Sequence, residues 1–181
     1  MKSALAATLI LNLILAYALG DQNANVRQLI ADRDHMLAQR LSVLEVEQFI
    51  AAKQPKRNAV ERRGYAEIIV DAANEFGKPP LMVARVALAE SSLDHRAIGD
   101  GGHCIGVMQI QARYWVREIP FLNSAKDLRD PQTNIRAGAW ILRHYADTCG
   151  AEPEAYLACF NGGPRPNAQA RAYARRVAGG V

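Results

Sequence analysis

Between residues 65 and 145 the apolar side chains recur at three- and four-residue steps, and glycine or proline cuts the pattern into short lengths. Tyr65, Ile68, Ile69, Ala72, Ala73 and Phe76 share one face of a helix, and Gly77 stops it. Pro79-Pro80 suits the first turn of the next helix, which carries Met82, Val86 and Ala89 as far as Glu90. Asp130 is a good N-cap, with Pro131 in the first turn, for a third helix through Ile135, Ala139, Leu142 and Tyr145. Gly138 inside that helix costs about 1 kcal/mol against Ala, which predicts a close helix–helix approach there. No strand-like alternation of useful length, no internal repeat and no low-complexity segment interrupts this pattern. The expectation is an all-α domain with a small irregular or β-like excursion at Ile98 to His103. A chain that is 50% apolar but 7% aromatic suits a helical core of Ala, Leu, Ile and Val.

At 181 residues there is room for one ordinary domain and a short extension. The start, Met1-Lys2-Ser3, is basic; an apolar run from Ala4 to Leu19 follows, and Ala18-Leu19-Gly20 offers small residues for cleavage. That is the layout of a secretory signal over residues 1–20. The run contains Asn12 and falls short of the ~20 residues that span a bilayer comfortably. An uncleaved or slowly released anchor over residues 4–19 is the alternative. Either way the body of the protein is expected to be exported, to the periplasm or cell envelope.

Residues 21–63 read as an N-terminal helix and linker. Val26, Ile30, Leu37, Leu41 and Leu44 have helical spacing, while Arg33 and Asp34 interrupt any heptad of a coiled coil. Such a helix of ~25 residues would measure nearly 40 Å. It either stands the domain off a membrane or lies across it as extra core, and the second reading is preferred. The charged stretch Lys53 to Arg63, with Pro55, reads as the linker, leaving residues 64–181 as the domain proper.

Lys and Arg number 22 against 18 Asp and Glu, a net charge of +4 that loss of Lys2 with a signal would lower by one. So modest an excess, without a concentrated basic patch, argues against nucleic acid as a partner. It is compatible with a polyanionic polymer whose carboxylates would meet Arg165, Arg171, Arg175 and Arg176. A solvated basic helix face accounts for those four equally well. Three cysteines in an exported chain allow one disulfide and one thiol. Cys149 and Cys159 sit near the ends of two helices joined by a short turn, so the expected pair is Cys149–Cys159 with Cys104 free. Cys104–Cys159 is the rival. Asp94, His95, His103 and Cys104 match no zinc-ligand spacing, and no metal is expected.

Glu90 follows Val86-Ala87-Leu88-Ala89 and stands where its helix must end, just before Ser91-Ser92. Burial among apolar groups and the negative end of a helix dipole both raise a carboxyl pKa, as a proton donor near neutral pH requires. An exposed Glu in a last helical turn is the plain alternative. Downstream come Gly106-Val107-Met108-Gln109-Ile110, then Asp130-Pro131, Asn134-Ile135 and Gly138-Ala139-Trp140-Ile141-Leu142. Ala158-Cys159-Phe160-Asn161-Gly162-Gly163 and Tyr173 with Val177 complete the series. In this order and at these distances the set resembles the soluble lytic transglycosylases. These are enzymes of lysozyme-like fold, related to the goose-type lysozymes, that cut the glycan strands of bacterial peptidoglycan. The resemblance covers residues 64 to 178.

What the resemblance implies is a single Glu, here Glu90, acting as acid and then as base. The N-acetyl group and 6-hydroxyl of muramic acid would complete the reaction and leave a 1,6-anhydro sugar, with no cofactor. It places Ser91 near the acetamido group and Met108 and Gln109 on the groove floor. Phe160, Asn161 and Tyr173 complete the substrate-binding set. Met108 also reads as core, Asn161-Gly162-Gly163-Pro164 as a turn, and Tyr173 as a core-facing helical residue. Phe160 departs from the family, which usually has Tyr there with its hydroxyl close to the catalytic carboxyl; Tyr173 or another hydroxyl could substitute.

Most glycosidases use a second carboxylate. Asp94 is too near Glu90 in sequence to sit across a sugar from it. Asp100 lies in the turn Gly99-Asp100-Gly101-Gly102 and is the candidate if the chain is instead a goose-type lysozyme. The same residues also suit a phage lysis enzyme of this fold or a catalytically weak wall-binding module. The compact size and the export signal resemble the small family members that open the wall for secretion, conjugation or pilus machines.

Overall fold

The computed structural model describes the backbone of residues 2–179 and the side chains of residues 23–179. The side chains of the signal-or-anchor segment therefore lie outside the described residues. Among the described residues no helix is long and apolar enough to cross a membrane. The chain divides into two compact units, Met1–Leu41 and Ser42–Val181.

The longest helix, α1 (Lys2–Lys53), supplies the first unit, where Val26, Leu29, Ile30, Met36, Leu37 and Leu41 are all exposed. In the second unit the remainder of α1 behaves differently. Val43, Val46 and Ile50 are buried in the core, so this end of the helix is part of the domain. The helices that follow are α2 (Ala59–Glu75), α3 (Pro80–Ser91), α4 (Ala112–Trp115), α5 (Pro131–Cys149), α6 (Pro153–Gly162) and α7 (Ala168–Ala178).

The stretch read as linker is shorter than expected, because α2 begins at Ala59 rather than near Tyr65. Asn58 accepts a hydrogen bond from the Glu61 amide at 2.9 Å, and Glu61 complements the positive end of the helix dipole. Only Gln54 to Asn58 separate α1 from α2.

The irregular excursion is a three-stranded antiparallel meander of β1 (Ile98–Gly99), β2 (Cys104–Ile105) and β3 (Ile110–Gln111). Ile98 pairs with Ile105 and Cys104 with Gln111. It reaches beyond His103, and strands of two residues are too short to display an alternation.

Asp130 caps α5 by accepting from the Thr133 amide at 2.7 Å. The close approach at Gly138 corrects the expectation. A Cβ there would lie 2.5 Å from Met108 Cε, so the glycine makes room for a side chain from the meander and not for another helix. The end of α5 is tied to α6 by the disulfide Cys149–Cys159, with Cα atoms 6.7 Å apart, and Cys104 is a free thiol.

Candidate active site

The end of α3 sets the position of Glu90. Met82, Val83, Ala84, Val86 and Ala87 bury one face of this helix. After Ser91 the chain turns left-handed at two consecutive residues, Ser92 (φ 57°) and Leu93 (φ 60°). The Ser92 amide donates to the Leu88 carbonyl at 3.0 Å and the Leu93 amide to that of Ala87 at 3.4 Å. Leu93 then enters the core at 1% exposure. This turn ends the helix one residue past the Glu, so Glu90 is left half-buried on the wall of a cavity of about 900 Å³.

Tyr173 on α7 donates its hydroxyl to Glu90 Oε1 at 2.5 Å. Burial raises the Glu90 pKa from its ordinary value, while the Tyr173 hydrogen bond and the Arg176 charge oppose that rise. Burial and the neighbouring Glu90 push the Tyr173 hydroxyl strongly upward, so it remains a donor at any physiological pH. A protonated carboxyl facing a roomy cleft can donate to a leaving oxygen and, once ionised, accept a proton back.

Gln109, Phe160 and Asn161 line the same cavity. Gln109 adopts φ 46°, and its amide donates to the carbonyls of Gly106 at 2.9 Å and Ala97 at 3.2 Å, so it braces the meander from within. Phe160 offers a ring and no hydroxyl; the hydroxyl at Glu90 comes from Tyr173. Asn161 stands exposed in the last turn of α6.

Two of the expected residues, Ser91 and Met108, lie off the cavity wall. Ser91 Oγ donates to the Val107 carbonyl at 2.8 Å and accepts from the Asp94 amide at 3.1 Å. Its hydroxyl is thus engaged within the protein, and the residue is not on the cavity wall. Met108 is fully buried against Gly138, and it too is not on the cavity wall. Asp100 does line the cavity, with Oδ2 accepting from Gln111 Nε2 at 3.3 Å, and Glu118 joins it there. Asp94 is exposed and accepts from the Arg96 amide at 2.9 Å. Among the described residues no group of three His, Cys, Asp or Glu side chains is arranged to hold a metal.

Sequence reasoning gave no role to two features. The first is Asn134, the buried polar side chain among the described residues. Its Nδ2 donates to the carbonyls of Ile105 (2.8 Å) and Leu128 (2.9 Å), and its Oδ1 accepts from the Met108 amide at 2.7 Å. Gly106 must be glycine for this, since its φ is +74° and a Cβ would lie 2.5 Å from Asn134 Nδ2. The detectable signal was an Asn one turn into a helix otherwise apolar on that face. The second feature is an aromatic wall. Trp115, His144 and Tyr145 border the cavity, with Trp140 stacked on His144 at 5.4 Å between ring centres. Trp140 and His144 are four residues apart on α5, which puts them on one helix face.

The Transglycosylase SLT domain family matches residues 67–179. Among solved structures, an inactive mutant of the lytic transglycosylase Slt from Pseudomonas aeruginosa is similar, with a TM-score of 0.54 at 20% identity. The match covers 81% of this chain and 31% of that one, so the chain spans less than a third of the Pseudomonas protein. The 70 kDa soluble lytic transglycosylase from Escherichia coli gives a TM-score of 0.47 at 22% identity, over 79% of this chain and 24% of that one. None of the curated proteins matches the sequence.

Proposed function

Because the chain belongs to the Transglycosylase SLT domain family, we propose that it is a peptidoglycan lytic transglycosylase with Glu90 as its acid and base. The reaction breaks the β-1,4 bond between N-acetylmuramic acid and N-acetylglucosamine. Glu90 gives its proton to the departing oxygen while the muramic N-acetyl oxygen attacks C1. The Glu90 carboxylate then takes the proton of the 6-hydroxyl, and O6 replaces the acetamido oxygen at C1. A 1,6-anhydro end results, water is not consumed, and Glu90 returns to its starting state.

The observation that carries this reading is Glu90 on the wall of the cavity with the buried Tyr173 hydroxyl bonded to it from behind. Burial raises the carboxyl, and a hydroxyl that stays protonated fixes its direction. Phe160 presents an apolar ring where a hydroxyl would hold a water, which favours attack by the sugar's own hydroxyl over attack by water. Export to the periplasm or envelope belongs to the same proposal. So does service to a secretion, conjugation or pilus machine.

A goose-type lysozyme is the second reading, because Asp100 and Glu118 also line the cavity and either could position a water. Mass analysis of sugar ends after digestion of purified wall separates the two: anhydro ends support transglycosylation, and reducing ends support hydrolysis. Asp100→Asn and Glu118→Gln are expected to leave anhydro ends and rates within a few-fold. Loss of activity in either, with reducing ends from the parent, would replace the transglycosylase reading. Absence of any new ends would leave a wall-binding module.

A further inference from the structure

Two left-handed residues without glycine follow Glu90 almost at once, and such backbone persists only where its surroundings over-determine it. Part of the support comes from inside the domain, through the buried Leu93 side chain and the Ser91 bond to Val107. The rest comes from the turn between α1 and α2. Gln54 Nε2 donates to the Ser92 carbonyl at 2.6 Å, and Arg57 Nη2 donates to the same oxygen at 3.1 Å and to that of Leu93 at 3.4 Å.

Arg57 is itself held on three sides. Its Nε donates to Gln54 Oε1 at 2.6 Å, its Nη1 to Glu61 Oε2 at 3.2 Å, and its guanidinium carbon lies 5.2 Å from the centre of the Tyr65 ring. Its side chain is 20% exposed, so this is no freely moving surface cation. A cation at the C-terminal end of α3 also complements that helix's dipole.

We propose that Gln54 and Arg57 are positioning residues for the reaction at Glu90, holding the Ser92–Leu93 turn and hence the last turn of α3 in register with Tyr173. Both lie upstream of residues 67–179, so the turn that follows α1 joins the catalytic machinery although the family match does not include it. Without the clamp the turn is free to relax toward right-handed backbone. That rotates Ser91 away from Val107 and Glu90 away from Tyr173, and neither Gln54 nor Arg57 needs to touch a substrate for this to matter. Displacement of a catalytic group by ~1 Å costs about 100-fold in rate.

The inference rests on the proposed cleavage at Glu90, and the test keeps the two separable. Arg57→Ala, Arg57→Lys and Gln54→Ala are compared with the parent on a soluble glycan fragment, with kcat, KM, product ends and Tm measured. Arg143→Ala, which removes an exposed pair with Asp147, is the control. Arg57→Ala is expected to lower kcat ~10- to 100-fold with KM nearly unchanged, since only the alignment of Glu90 suffers. Lysine should restore part of that loss. Gln54→Ala, which leaves Arg57 in place, should lose less and serves if Arg57→Ala does not fold. A kcat per folded molecule that stays at the parent value, or a loss that appears mainly in KM, overturns the clamp while leaving the proposed chemistry intact. Reducing ends from the parent overturn the chemistry, and the clamp is then read on those ends. A parent that cuts nothing overturns both.

Discussion

Asn134 and Glu90 are both polar side chains set among apolar neighbours on helices, and they differ in how completely the fold satisfies them. Asn134 is wholly buried and makes three hydrogen bonds to the backbone, two as donor and one as acceptor. Among the described residues the Glu90 side chain takes its hydrogen bond from Tyr173, and it otherwise faces the cavity. A buried amide with its partners in place fixes geometry, here the distance between α5 and the Ile105–Met108 segment. A buried carboxyl kept short of partners has its pKa raised, which favours the form that can donate a proton. The fold thus uses a satisfied polar group to position the loop beside an unsatisfied one.

The sharpest way to break this comparison is to neutralise Glu90. Glu90→Gln should reduce cleavage of purified wall by at least ~10²-fold, because a single group serves as acid and base. Stability should not fall. A raised folded pKa contributes stability below the unfolded value and loses it as pH rises through the folded value, so at higher pH the amide escapes the cost of burying a charge. Retention of more than a tenth of parent activity would remove Glu90 from the role.

Asn134→Ala probes the other side. It strands the Met108 amide and the Ile105 and Leu128 carbonyls, and urea unfolding should show a loss of about 3 kcal/mol. A loss below about 1 kcal/mol would mean that water or a rearranged loop satisfies those groups, and the contrast with Glu90 would weaken.

Tyr173→Phe tests whether the single partner of Glu90 matters. Loss of a hydrogen bond to an ionisable group should slow cleavage ~10-fold. That bond lowers the Glu90 pKa, so removing it raises the pKa further. A general acid works only below its pKa, so the alkaline limb of the rate profile should move to higher pH. An unmoved limb would show that Tyr173 is a packing residue.

Phe160→Tyr should produce the smallest effect, a few-fold change in rate with anhydro ends unchanged, because Tyr173 already occupies the Glu90 oxygen. A change from anhydro to reducing ends, read by mass analysis, would show that the apolar ring at Phe160 decides the product.

The site is partly legible in the sequence. Glu90 stands out because a lone carboxylate closing an apolar helix is a local pattern, and the downstream motifs stand in a fixed order after it. The same order puts Ser91 and Met108 on the substrate, but order does not reveal which way a side chain points. The left-handed backbone at Ser92, Leu93 and Gln109 turns those neighbours in directions that helical spacing cannot forecast. The aromatic wall is hidden for a related reason, since Trp115 comes from α4 and meets Trp140 and His144 of α5 across a long separation in sequence.

Taken alone, the sequence determined the helical class, the cap at Asp130, the stop at Gly77 and the choice of Glu90 as the candidate acid. The first three depend on residues within a turn or two of each other, where spacing, capping and φ preference act directly, and the choice of Glu90 adds to such a local pattern the order of the motifs downstream. The tertiary structure decided what Gly138 admits, which hydroxyl reaches Glu90 and what holds the turn after it. Each of those is a meeting of segments distant in sequence, settled by which atoms fill a shared space and which polar groups must find a partner once water is gone.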